Sequence, residues 1–326
     1  MSRTIATHLE LLPLLAAQDY VVSRRQAMHH GMSRGQIDDR LASRAWQVLL
    51  PAVYLVTAGS PTRRQKMIGA LLWAGPDAAI DDVDACRFHG VKAAAVDELV
   101  VRIVVPWGSP ARSRGYVAVR RTTRPPAVVA TERLRYVDAA TAVIAAARRM
   151  RNERAVLALI SDAVQRRATS PAALMLAHVA GPPKNAHRTD VALAQVIAGI
   201  RSVPEADFRG LAEASAVLPP LLYNRLVRLP SGLLVSPDAL TPDAPVIHET
   251  NGRRAHERED LFQDMQLRHE ILTGFGFTVF HTPPRRLTLH GAEVVRAVER
   301  AYQRLAGSGL PAGCVLLPES PELMAV

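Results

Sequence analysis

Apolar positions along this chain recur with two periods, three to four residues and two, and the changes of period mark its parts. Helical spacing opens it. Ile5–Gln18 reads as a short helix, Ser23 caps a second that ends at Gly31, and Ser33 caps a third, SRGQIDDRLASRA, with Ile37 and Leu41 as its buried stripe. WQVLLPAVYLV (Trp46–Val56) then reads as two short strands broken near Pro51. Thr62–Ala74 and the segment PDAAIDDVDACRFHG return to helix. ELVVRIVVPWG (Glu98–Gly108) and GYVAVRRT (Gly115–Thr122) read as paired strands. Helices are predicted over Val137–Met150, Ala155–Arg167, Pro171–Val179 and Asp190–Arg201, with a loop at Gly181–His187. Ser202, with Pro204 in the first turn, opens a further helix. LPPLLYNRLVRLPSGLLVSPD predicts a hairpin: strand to Leu229, turn at Pro230–Gly232, strand to Asp238. The next strand is PVIHETNG. A helix follows with Leu261, Phe262, Met265 and Leu272 on one face and a stop at Gly274, then the strand Phe277–Thr282 and a closing helix, Ala292–Leu305. Strand, long helix, strand predicts a parallel, right-handed crossover.

The first three helices and the broken strand pair are in the order of a winged helix-turn-helix. Residues 1–70 hold nine Arg and Lys against four Asp and Glu, a net charge of +5. Arg24, Arg25, Arg34, Arg44 and Arg63 are candidates for phosphate contact, and Ser33, Arg34 and Gln36 stand at the start of the helix expected to face DNA. Asp38 and Asp39 on that helix would repel phosphate. The stretch VVSRRQAMHHGMSRGQIDDRLASRAWQVLLPAVYLV resembles the winged-helix domain at the N-terminus of AbiEi-type antitoxins. That resemblance implies DNA binding and, as partners, a cognate toxin or a second copy of the chain; the other reading of the segment is a protein-contact module.

The candidate chemistry lies in Ser236–His256. Asp238 ends one apolar run and Glu249 sits in the next, where alternation puts Ile247, Glu249 and Asn251 on one face and Val246, His248 and Thr250 on the other. If the runs pair, Asp238 and Glu249 converge on a hard, oxygen-rich site suited to Mg²⁺ or Mn²⁺. Such an ion stabilises the charge that develops when a phosphodiester is cut. The acid, the spacing, the E-x-N-G-x-x-x-H run and the following helix and strand resemble the nuclease-like domain related to very-short-patch repair endonucleases, within the PD-(D/E)xK restriction-endonuclease-like fold, over roughly Ser202–Gly309. The resemblance implies that Glu205 completes the metal set with Asp238 and Glu249. The family's lysine position holds Asn251, and the chain has no lysine beyond Lys184. Asn251 can orient a water but supplies no charge, which Arg253, Arg254 or His256 would have to provide. His256 is also the candidate for general acid–base work.

The expected class is therefore an α/β multidomain chain. It comprises a winged helix-turn-helix (1–58), an α+β segment with a strand pair (59–130), a helical connector (131–201), a restriction-endonuclease-like α/β domain (202–309) and a loose tail (310–326). A hydrophobic content of 48% in 326 residues supports several cores, and a net charge of +10 with a pI near 10.4 favours a polyanionic partner. That charge is unevenly placed: from Val203 onward twelve Arg face fifteen Asp and Glu, a net of −3, so the first 202 residues carry +13. The densest basic run, Arg112, Arg114, Arg120, Arg121 and Arg124, reads either as a DNA-backbone patch or as gatekeeping charge on a sheet edge. Asp81, Asp82 and Asp84 read as a solvated, dipole-favoured helix start. His248 reads as packed. Cys86 and Cys314 make neither a metal spacing nor a disulfide framework, and no apolar run is long enough for a membrane helix, so a cytoplasmic chain with no membrane partner is expected. Three functions remain open: a metal-dependent DNA endonuclease, a non-enzymatic DNA-binding regulator or antitoxin whose nuclease-like domain is structural, and a protein whose two end modules are protein-binding surfaces, which predicts no salt-dependent DNA affinity.

Overall fold

The computed structural model describes residues 11–92, 99–131, 133–182, 184–250 and 259–318, with the side chains of 259–265 excepted. The chain is an α/β protein of two compact units, Met1–Thr189 and Asp190–Val326.

The first unit begins with α1 (residues 11–17), β1 (Val21–Ser23), α2 (Arg24–His29), α3 (Arg34–Ala42), β2 (Gln47–Leu50) and β3 (Val53–Leu55). Ser23 with Gln26, and Ser33 with Gln36, form reciprocal capping boxes that fix where α2 and α3 start. The strands form an antiparallel sheet in the order β1-β3-β2 over a core of Leu11, Leu15, Val22, Ala27, Ile37, Trp46 and Tyr54. A third capping box, Thr62 with Gln65, starts α4 (Arg63–Ala74).

Then follow β4 (Ala79–Ile80), α5 (Asp82–Phe88), β5 (Val101–Pro106), β6 (Val117–Thr122), β7 (Val128–Ala130) and β8 (Arg135–Val137). They make a mixed sheet, β6-β5-β4-β8-β7, with β5/β6 and β4/β8 parallel. Helices α6 (Ala139–Arg149), α7 (Glu153–Gln165) and α8 (Pro171–Ala180) follow, and α9 (His187–Ile197) begins in the last residues of this unit and lies mostly in the second. Because α4 packs on β1, β2 and β3 and also on β4 and β5, the boundary expected at 58/59 does not separate compact bodies. Nor does the one expected at 130/131, where α6 packs on α5.

Asp81, Asp82 and Asp84 do start a helix, but they are buried, at 2%, 2% and 9% exposure, rather than solvated. The start of α5 lies at the end of β4, inside a sheet, and arginines distant in sequence supply the counter-charge: Arg120 to Asp81, Arg149 to Asp82 and Arg63 to Asp84. Asp82 adopts a left-handed backbone, φ 61°. A strain of roughly 1–3 kcal/mol of this kind persists only where surrounding contacts impose it.

The second unit holds α10 (Val203–Glu213), β9 (Leu222–Tyr223), β10 (Val227–Arg228), β11 (Leu234–Val235), β12 (Ala239–Leu240), β13 (Val246–Thr250), α11 (Glu259–Gly274), β14 (Thr278–Thr282), α12 (Pro284–Leu305) and β15 (Val315–Leu316). Its main sheet runs β14-β13-β12-β9, with β13 and β14 parallel; a small antiparallel sheet runs β11-β10-β15. Phe208, Val246, Leu287, Val294 and Val298 form the core between one face and α10 and α12, while Leu240, Ile247, Leu272 and Phe277 pack the other face against α11. The expected hairpin forms as β10 and β11 about the turn at Pro230–Gly232, but its first strand is broken at Asn224, whose φ of 52° sends β9 and β10 into different sheets. The closing helix starts at Pro284 rather than Ala292, with a kink at His290. The tail is not loose over 310–318. Leu316 pairs with Val227, the Leu317 amide donates to the Leu226 carbonyl, and Leu310 and Cys314 pack on the core. Among the described residues no helix is long and apolar enough to cross a membrane.

Candidate functional site

Strand pairing brings the predicted carboxylates together. Ala239 lies opposite His248 and Leu240 opposite Ile247, so Asp238, one step before β12, comes to the level of Glu249. Leu240 and Ile247 face α11, and period-two alternation puts Asp238 and Glu249 on that same face. His248 points the other way, as expected. It is 2% exposed and its ring stacks on Phe208 with centroids 3.5 Å apart. Burial pushes its pKa down to about 3.

Each carboxylate is held by a different device. Oδ2 of Asp238 accepts from the Thr250 amide at 2.7 Å and from the Thr250 hydroxyl at 2.8 Å. Oε1 of Glu249 accepts from Nε and Nη2 of Arg268 at 3.1 and 3.0 Å, and the same guanidinium donates to the Ser236 carbonyl at 3.0 Å. Glu205, 7% exposed, is at the third position of α10. It accepts from the Ser202 hydroxyl at 2.7 Å on Oε1, and from the Arg201 amide at 2.9 Å and the Asn224 amide group at 3.1 Å on Oε2. Asn224 Nδ2 also donates to the Gly199 carbonyl, while its Oδ1 is buried with no hydrogen-bond partner.

The three carboxyl groups form one electrostatic system. Burial raises the pKa of all three. The charge of Asp238 adds to the rise at Glu205, and it also raises Glu249, where Arg268 opposes it. At Asp238 burial outweighs the Thr250 hydrogen bonds and the charges of Arg268 and Arg201. A cation among them would reverse this cost. No three His, Cys, Asp or Glu side chains are gathered into a ready-made metal cage among the described residues. Magnesium, however, is typically held by one or two carboxylates with water and substrate oxygens completing its shell. Asp238 Oδ1 and Glu249 Oε2, which accept no hydrogen bond among the described residues, fit that pattern, as does the unpartnered Asn224 Oδ1. Both oxygens of Glu205 are already engaged, so it fits better as the residue that positions Asn224.

Asn251 and His256 lie outside the described residues, as do Arg253 and Arg254. The positive charge beside Glu249 comes instead from Arg268, which the sequence reading did not single out. Nor did it single out Asn224, whose only signal is a polar residue inside the apolar run LLYNRLV. The structure also joins two histidines that the sequence reading left without a role. His281, opposite Glu249 in the parallel register, hydrogen-bonds His269 of α11 between Nε2 and Nδ1 at 3.1 Å. Burial, then His269 and Arg268, push its pKa down.

The N-terminal candidates divide. Arg25, Ser33, Arg34 and Arg44 are exposed. Gln36 spends its Oε1 on the Ser33 amide at 2.8 Å, keeping its amide nitrogen for other contacts. Arg24 is bound to Tyr54 and Asp38, which offsets the charge of one of the two aspartates that oppose phosphate. Arg63 is a fork on Asp84, at 2.9 and 2.6 Å, and reaches the Val100 carbonyl at 2.8 Å. In the basic run, Arg120 and Arg121 lie on β6, an edge strand, where Arg120 pairs with Asp81 and Arg121 donates to the Ala111 carbonyl. No family model matches this chain, and no curated protein is significantly similar to it.

Proposed function

We propose that this protein binds duplex DNA through its N-terminal helices and hydrolyses phosphodiester bonds with a divalent cation, Mg²⁺ or Mn²⁺, held by Asp238 and Glu249. The observation that carries this reading is the placing of Asp238 next to both Glu249 and Glu205, with burial opposing the ionised forms of all three and the charge of Asp238 opposing those of the other two. The crossover of β13, α11 and β14, with the acids at one end of the sheet and α10 on the opposite face, supports assigning the second unit to the restriction-endonuclease-like fold. The order α2, α3, β2, β3, with β1 completing the sheet, supports a winged helix-turn-helix. Arg34 in the first turn of α3 and Arg44 just beyond its end remain exposed for phosphate.

Asp238 and Glu249 would hold the divalent cation, which would supply Lewis-acid stabilisation of charge on the phosphoryl oxygens. Arg268 adds a fixed positive charge beside Glu249, which Asn251 lacks. Glu205 holds the amide nitrogen of Asn224, which leaves Oδ1 as a buried acceptor able to orient a water. The His281–His269 pair, neutral near pH 7 on the His281 side, can accept or pass a proton.

The second reading, a DNA-binding regulator with a toxin partner or a second copy of itself, is favoured by one observation: the Arg268 guanidinium already neutralises Glu249 without a metal. Cleavage of supercoiled plasmid and of a single-stranded oligonucleotide in Mg²⁺ or Mn²⁺ separates the two. Cutting that disappears in chelator and in both Glu249→Ala and Asp238→Ala supports the nuclease. DNA binding at low salt with no cutting by the parent protein selects the regulator.

A further inference from the structure

The buried aspartates that start α5 belong to a second candidate site, in the first unit. They form one wall of a cavity of about 270 Å³ bounded by β5 and β6 of the mixed sheet, by α6 and α8, and by the loop after α8. Five cationic side chains line it, Arg102, Arg120, Arg148, Arg149 and Lys184, against two carboxylates, Asp81 and Asp82. The excess is three positive charges. The lining also includes apolar side chains, Ile103, Val119, Ile144 and Ala177.

Two polar atoms at this wall are left unmatched. Asp81 is 2% exposed; its Oδ2 accepts from Arg120 Nε at 2.7 Å, but its Oδ1 is buried with no hydrogen-bond partner. Nη2 of the same Arg120 is also buried without one. An ion pair built only for stability would satisfy these atoms internally, because each unmade bond is costly in a buried place. The left-handed backbone of Asp82, bound to Arg149, adds strain at the same wall.

We propose that this cavity binds a phosphomonoester with an apolar or aromatic body, of mononucleotide size. A phosphomonoester carries about −1.5 to −2 charges at neutral pH, which matches a pocket with excess positive charge. Its oxygens accept from Arg120 Nη2 and Lys184, its planar body lies on Val119 and Ala177, and a hydroxyl or amino group of the body donates to Asp81 Oδ1. The volume is near the small end of ligand pockets, roughly 300 Å³, which suits a single nucleotide. A free nucleotide and the 5′-phosphorylated end of a DNA strand offer the same chemistry.

The test is calorimetric titration of the full-length chain with the four common nucleoside 5′-monophosphates, adenosine, inorganic phosphate, and a DNA oligonucleotide with and without a 5′-phosphate. At least one mononucleotide, or the phosphorylated oligonucleotide, is expected to bind about tenfold more tightly than its counterpart lacking the phosphate, the increment of one charge-assisted contact. Lys184→Ala removes an exposed cation, and Ala177→Trp fills the cavity from α8. Each is expected to cost about tenfold in that affinity. Melting curves of both variants are recorded alongside, and Lys184→Ala, at an exposed position, is expected to melt with the parent. Dependence on both variants for a free mononucleotide identifies the small molecule as the ligand; dependence for the phosphorylated oligonucleotide alone identifies a strand end. Absence of any phosphate-dependent binding, or binding that both variants leave unchanged, overturns the proposal.

Discussion

Asp238 makes two contributions that substitution can separate. It accepts two hydrogen bonds from Thr250, at 2.7 and 2.8 Å, and it places a negative charge beside Glu205 and Glu249. Asp238→Ala removes both. A hydrogen bond to a charged group contributes about 1.5–3 kcal/mol, and the half-buried position lets water replace part of the loss, so about 2–3 kcal/mol in total is expected. Asp238→Asn keeps an acceptor where Oδ2 stands and removes only the charge, which burial already opposes. In chelator its stability is expected to equal or exceed that of the parent, by up to about 1 kcal/mol. Magnesium reverses the order. A ligand at ten times its Kd stabilises by about 1.4 kcal/mol, a gain expected for the parent and absent in both variants. Urea unfolding with two probes isolates the effect. Trp46, Trp73 and Trp107, the only tryptophans, all lie in the first unit, so far-UV circular dichroism change without a fluorescence change reports the second. Asp238→Asn as destabilised as Asp238→Ala in chelator would refute the electrostatic argument. Equal stabilisation of parent and Asn variant by Mg²⁺ would refute Asp238 as a ligand.

Arg34→Ala is expected to weaken DNA binding and to make the slope of log affinity against log salt shallower by about one, as the loss of one phosphate contact requires; an unchanged slope removes Arg34 from the interface. Arg63→Ala is expected to leave that slope intact and instead to cost about 3 kcal/mol, because Asp84, with its side chain 8% exposed, loses its guanidinium partner. Thermal unfolding and the salt series together decide which role Arg63 has. His248 gives the pH dependence. Its folded pKa of about 3 lies below the ordinary value near 6.5, so the unfolded chain takes up the proton first. The stability linked to it is complete above about pH 6.5 and is lost as pH falls toward 3, at up to about 1.4 kcal/mol per pH unit. In an NMR titration the His248 ring is expected to show no midpoint between pH 5 and 8, and a midpoint near 6.5 would contradict its burial on Phe208.

What could be read from the sequence and what could not differ in a physical way. The caps at Ser23, Ser33, Thr62 and Ser202 are local: the partner lies three residues away, so the sequence shows the whole interaction. Period-two alternation is local too, and it put Asp238 and Glu249 on one face once their runs were paired. Asn224 and Arg268 depend on distant geometry. Asn224 matters because a positive φ turns its side chain toward Glu205, nineteen residues earlier, and Arg268 because the crossover lays its face of α11 against Glu249, nineteen residues before it. The aspartates of α5 show the same limit from the other side. Their place at a helix start was legible, but their burial was not, because Arg63, Arg120 and Arg149 come from three other elements. Charge pairing acts through space with no sequence period. A charged residue therefore reads as surface until the fold shows what stands opposite it. In this chain Asp81 and Asp82 at the cavity, which read as solvated, and Arg268 at the carboxylates, which drew no reading, are the ones that give each candidate site its electrostatic character.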